Sequence, residues 1–94
     1  MDPRTPEAEA IVRRYLAGPK PLPELRMAYA RALLDAQRHS EATQQLEIVT
    51  AERPELADAW LVLGVLHVQE NRLQAGEAAL QRYLELQPLS LIHI

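Results

Sequence analysis

Apolar residues recur at helical spacing along most of the chain. After Ser40, the residues Ala42, Leu46 and Val49 follow one another at three or four positions, as expected of a helix that buries one face. Upstream, Thr5-Pro6 predicts a helix start, because a threonine oxygen can accept from the first free N–H groups and proline suits the first helical position. That helix is expected over about Pro6 to Ala17, with Gly18 able to end it. A Pro-spaced link (Pro19, Pro21, Pro23) then leads into a second helix over about Pro23 to Ala36. Ser40 is expected to cap the third, which ends before Pro54. A fourth runs from about Leu56 to Glu70, Asn71 marks a turn, and a fifth runs from about Leu73 to Gln87. The fourth differs in pattern. Trp60, Leu63 and Gly64 make one stripe while Leu61, Val65 and Val68 make another, and a helix apolar nearly all round must be covered on several sides.

The same pattern occurs twice at one fixed shift. Pro54 and Pro88 are 34 residues apart, and at that offset Ala30 falls on Gly64, Leu34 on Val68 and Arg38 on Arg72. Ala42 falls on Gly76, Leu46 on Leu80 and Val49 on Tyr83. A further shift back places Ala8 on Ala42, Val12 on Leu46 and Tyr15 on Val49. Two helices per repeating unit of this length is what a stacked array of helical hairpins requires. Gly64 and Ala30 then mark where the two helices of a hairpin approach closely, since a glycine inside a helix costs about 1 kcal/mol relative to alanine and needs a packing reason.

These residues resemble the tetratricopeptide repeat family. Trp60, Leu63, Gly64, Leu80 and Pro88 stand at the spacing of its W-x-x-L-G … P pattern, with Gly76 where the family usually has Ala. The earlier unit departs from it, with Arg26 in the place of Trp60 and Tyr29 in the place of Leu63. The segment Leu25 to Arg31 also looks similar to exported bacterial repeat proteins. The fold class implied is all-α, a right-handed superhelical solenoid of antiparallel helix pairs with about two and a half repeats. Residues 1–18 would hold the second helix of a partial preceding repeat. Residues 19–54 would form repeat one with its Pro-rich lead-in, and 55–88 repeat two.

Composition narrows the function. With 10 Lys+Arg against 13 Asp+Glu the net charge is −3, and no basic stripe offers itself to nucleic-acid phosphates. There is no Cys, which excludes disulfides, thiol nucleophiles and thiolate-bound zinc. Met1-Asp2-Pro3-Arg4 opens no secretory signal, and the apolar run Ala59 to Val68 is far short of the roughly 20 residues that span a bilayer. The compartment stays open: cytoplasmic by default, periplasmic or envelope-associated if a parent protein carries a leader. The three histidines share no ligand-like spacing, so no metal is expected. His39 is read as exposed in a turn, His67 as packed and His93 as part of the tail. No nucleophile elbow, phosphate-cradling loop or His-Glu-x-x-His is present. No catalytic activity and no cofactor are expected.

The resemblance implies a scaffold that binds a partner peptide or helix in a concave groove lined by the first helix of each repeat. Carried over by position, the groove residues are Met27, Arg31, Leu34 and Asp35 in repeat one, and Leu61, Val65, Val68 and Gln69 in repeat two. Some family members grip acidic tails with a Lys/Asn/Arg clamp. Here Met27 and Leu61 replace the clamp lysines and Val65 replaces an asparagine. The expected groove is therefore mainly apolar with one cation, Arg31, and suits an apolar segment better than a carboxylate. An alternative is that Leu61, Val65 and Val68 pack against a further repeat. The same scaffold could equally be a non-catalytic segment of a multidomain enzyme or of a cell-envelope assembly protein.

The last residues, Leu89-Ser90-Leu91-Ile92-His93-Ile94, break the helical pattern. They match the in-frame translation of the transposase-end adapter of sequencing libraries, and are read as an artefact on a fragment of a longer protein; the other reading is a genuine apolar tail. In either case the fifth helix presents Leu80, Tyr83, Leu84 and Leu86 without a capping helix, and self-association through that end is expected.

Overall fold

The computed structural model describes residues 5–18 and 22–87. They form five helices, α1 (Pro6–Leu16), α2 (Pro23–Asp35), α3 (His39–Glu52), α4 (Ala57–Gln69) and α5 (Leu73–Glu85), with no strand among the described residues. The fold is all-α, as the periodicity predicts. The tail and its two readings lie outside the described residues.

Local chemistry sets the helix ends. Thr5 is extended and its hydroxyl accepts the Ala8 N–H at 3.2 Å, satisfying one of the donors that a helix start leaves free. Glu7 and Glu9 in the first turn of α1 and Arg13 and Arg14 in the last complement the helix dipole. α2 and α4 end in the same way. Gln37 and Asn71 both take φ 63°. After α2, the Arg38 N–H reaches the Leu33 carbonyl at 2.8 Å and the Gln37 N–H reaches Leu34 at 3.0 Å. After α4, the Arg72 N–H reaches His67 at 2.7 Å and the Asn71 N–H reaches Val68 at 3.0 Å. These paired bonds form Schellman caps, which turn the chain sharply into the following helix.

That geometry corrects the expected cap at Ser40. α3 begins at His39, Arg38 holds the N-cap position, and no side chain caps it. The tight turn at Gln37 leads straight into helix, so that the Arg38 carbonyl already accepts from the Ala42 N–H at 3.1 Å. Ser40 is left inside the first turn.

α2 pairs with α3, and α4 with α5. Antiparallel packing of the second pair brings Gly64 near the middle of α4 against Gly76 in the first turn of α5. A Cβ on Gly64 would stand 2.7 Å from Leu80 Cγ and 3.2 Å from the Gly76 carbonyl, and one on Gly76 would stand 2.7 Å from Val68 Cγ2. A Cβ at either position therefore requires the facing Leu80 or Val68 side chain to shift and the backbones to give slightly. Ala30 and Ala42 occupy the matching positions in the first pair, and both are fully buried.

The core runs from α1 through α4 as one cluster that includes Leu16, Tyr29, Leu33, Leu46, Val49, Ala59, Leu63 and Leu66. The expected stripe of α3 is buried in full at Ala42, Leu46 and Val49. Thr43 and Thr50 are also buried there. The Thr43 hydroxyl bonds the His39 carbonyl at 3.0 Å and Glu70 Oε1 at 3.3 Å, linking α3 to the end of α4. On α4, Leu63 and Gly64 are buried and Trp60 half-buried, with its indole N–H donating to the Pro54 carbonyl at 2.9 Å. The second stripe is open: Leu61 is half-buried, while Val65 and Val68 are exposed.

A charged ladder fastens α1 to the first hairpin. The Tyr29 hydroxyl donates to Glu9 at 2.8 Å and accepts from Arg13 Nε at 2.8 Å. Arg38 reaches Glu9 at 2.8 Å and forks onto Glu41, which also meets Arg13 at 3.0 Å. The Tyr29 hydrogen bond, with Arg38 and Arg13 adding to it, holds the Glu9 carboxyl below its ordinary range. Arg38 does the same for Glu41. Burial pushes the Tyr29 hydroxyl up.

Candidate protein-binding groove

A cleft of about 500 Å³ opens between the start of α2, the α3–α4 link and the first turn of α4. Its floor is apolar, formed by Met27 and Ala28 of α2 with Leu56 and Ala57. Its rim is charged: Glu24 and Arg31 on α2 face Glu55 and Asp58 on the other wall. The helical period explains the α2 wall, since Glu24, Met27, Ala28 and Arg31 recur at three- and four-residue steps and so share one face. Pro54 ends α3's continuation and delivers Glu55 and Leu56 to the opposite wall.

Arg53 organises the acidic side. Its guanidinium bonds Glu55 and lies 3.8 Å from Glu24, tying the link to α2. That bond holds the Glu55 carboxyl below its ordinary range and the Arg53 guanidinium above its own. Around the cleft there are thus three carboxylates, with Arg31 in the lining and Arg53 behind it.

The residues expected in a groove are distributed unevenly. Met27 and Arg31 line the cleft. Leu34 is half-buried against the core, and Asp35 is exposed at the end of α2. Leu61 is half-buried, Val65 and Val68 are 43% and 44% exposed, and Gln69 is exposed. Val68 leans on the Gly76 backbone of its own hairpin. These six residues of α2 and α4 do not line the cleft. Sequence reasoning missed its carboxylates: Glu24, Glu55 and Asp58 were legible as charges, but that Glu24 on α2 stands across from the other two depends on how the link passes over α2. No group of three or more metal-ligating side chains is present among the described residues, and none of their helices is long and apolar enough to cross a membrane.

The sequence profile of the tetratricopeptide repeat matches residues 27–90, more than half of the chain. The chain belongs to the tetratricopeptide repeat family. It is 34% identical over 77 residues to peroxisome biogenesis protein 5 of Arabidopsis thaliana, a match covering 82% of this chain and 10% of that protein. It is 42% identical over 53 residues to the peroxisomal targeting signal receptor of Pichia angusta, covering 56% of this chain and 9% of the receptor. The chain thus spans about a tenth of the length of these curated relatives. Both come from eukaryotes, and neither bears on the resemblance to exported bacterial proteins. No solved structure matches the chain significantly. Tetratricopeptide repeats and relatives of this kind mark the chain as a protein-binding repeat scaffold.

Proposed function

We propose that the chain is a non-catalytic scaffold segment that binds a short peptide or helix of a protein partner in the cleft between α2 and the α3–α4 link. The observation that carries this reading is the cleft's composition: an apolar floor of Met27, Ala28, Leu56 and Ala57 beneath a rim that bears Glu24, Glu55 and Asp58 against Arg31. An apolar side chain of the partner would desolvate against the floor, worth roughly 1.5–3 kcal/mol for a Leu or Met. The acidic excess favours a lysine or arginine next to that anchor and disfavours an acidic neighbour. The name of one relative, a peroxisomal targeting signal receptor, supports recognition of a signal carried by a partner protein. The groove positions Leu61, Val65 and Val68 would extend the contact along α4 for a longer partner.

Two capped peptides with a central leucine, one flanked by lysines and one by glutamates, test the reading by NMR titration. The expected result is saturable perturbation of the Met27 methyl and the Leu56 resonances by the lysine peptide, weakened in Asp58→Lys. Preference for the glutamate peptide, or perturbation confined to α5, would overturn it.

A further inference from the structure

A second cleft, of about 360 Å³, lies between α1, α2 and α3 and is built quite differently. Arg13, Arg26, Tyr29, Glu41, Gln44 and Gln45 line it, with Leu16 and Ala17 at one end. Arg26 is the central feature. It is only 8% exposed, yet it forms no ion pair among the described residues. One of its terminal nitrogens donates to Gln45 Oε1 at 2.7 Å, a neutral acceptor, and its buried Nε has no hydrogen-bond partner. Taking a guanidinium out of water costs several kcal/mol unless an opposite charge compensates it, and one amide does not. The neighbouring carboxylate, Glu41, is already engaged by Arg38 and Arg13.

The repeat register shows that this polarity is built rather than incidental. Positions 26, 29, 41, 44 and 45 correspond, one unit later, to Trp60, Leu63, Ala75, Ala78 and Ala79. Repeat two thus places an aromatic, a leucine and three alanines where repeat one places Arg26, Tyr29, Glu41, Gln44 and Gln45. The five positions differ as a set, polar in repeat one and apolar in repeat two. Packing alone does not require this, because repeat two carries the apolar set at the same register, with Leu63 and Ala79 buried and Trp60 half-buried.

We infer that this cleft is an oxyanion site for a carboxylate, with Arg26 as its counter-charge and the Gln44 and Gln45 amides as further donors. A planar carboxylate suits a guanidinium, which offers it two parallel N–H groups. The site is separate from the peptide cleft, and neither depends on the other.

The Arg26 Nε–H cross-peak of the whole chain is followed by NMR at constant ionic strength, with sodium chloride replaced stepwise by sodium acetate, then by a capped tripeptide with a central glutamate. A saturable shift is expected, and the accompanying shift of the Gln44 and Gln45 side-chain amide signals is absent in Arg26→Trp, which installs the residue that repeat two carries at this position. If that variant does not fold, Arg26→Gln serves in its place, and Gln45→Ala, which keeps the cation, is expected to weaken the response. Equal affinities for the two probes assign the site to free carboxylates. Binding of the peptide roughly tenfold more tightly assigns it to a partner's acidic side chain. A cross-peak that moves no more with either probe than with chloride overturns the inference.

Discussion

Two single positions carry most of the local consequences. At Gly64, any side chain would meet Leu80 and the Gly76 carbonyl at closer than ordinary contact, so Gly64→Leu has to push α4 and α5 apart. Overpacking of this kind costs about 1–3 kcal/mol. Thermal unfolding should show a clearly lowered midpoint, and an unchanged one would refute the close approach. At Gln37 the effect runs the other way. An L-residue at φ 63° is strained, and glycine reaches that conformation freely. Gln37→Gly should therefore raise stability by up to about 1 kcal/mol in denaturant titration, whereas the same change at a helical position would lower it. Gly64 was legible in the sequence as a glycine inside a helical pattern. Gln37 was not, since nothing about glutamine signals a left-handed residue. Its only marker is the register that sets it opposite Asn71.

Among the elements, α1 depends most on polar contacts. Its apolar contribution to the core is small, with Ala8 and Leu16 buried and Ile11 and Tyr15 exposed. The Glu9–Tyr29–Arg13 and Arg38–Glu41 ladder supplies the rest of its docking. Because Glu9 titrates below the ordinary carboxylate range in the folded chain, its ionised form stabilises docking above the unfolded value. That contribution is lost as pH falls through the lowered one. Amide exchange of residues 6–16, measured as opening free energy, should weaken on acidification before that of α4. Tyr29→Phe should flatten this dependence, and Arg38→Ala should weaken α1 protection already at neutral pH. Uniform loss across all helices would show instead that α1 unfolds only with the rest. The helices themselves were predicted to within a residue or two. The cap assigned to Ser40 was not, because a helix start that follows a Schellman turn is positioned by backbone hydrogen bonds and needs no capping side chain.

Across the whole molecule, the repeat register identifies a face that has no partner among the described residues. Positions 16, 50 and 84 are equivalent. Leu16 and Thr50 are buried at 9% and 6% exposure by the hairpin that follows each, while Leu84 is 62% exposed. Leu73 is also exposed at the start of α5. Repeat units are stabilised mainly by contact with their neighbours, and an apolar face of this kind favours association. The chain should show concentration-dependent self-association in sedimentation, and Leu84→Glu should return it to monomer while preserving the helical signal. A monomer at all concentrations would refute this.

Helix number, helix type and the repeat period follow from the sequence alone, because each depends on short-range spacing: apolar residues every three or four positions, prolines at the links and small residues at a fixed shift. The close contact at Gly64, the buried stripe of α3 and the packed His67 belong with them. Tertiary structure decided what lies side by side. Glu24 meets Glu55 and Asp58 across a cleft because the α3–α4 link crosses α2, and Arg26 lacks a counter-charge because α1 and α3 converge on it without bringing a free carboxylate. Such juxtapositions depend on how helices distant in sequence cross, and local spacing carries no record of that.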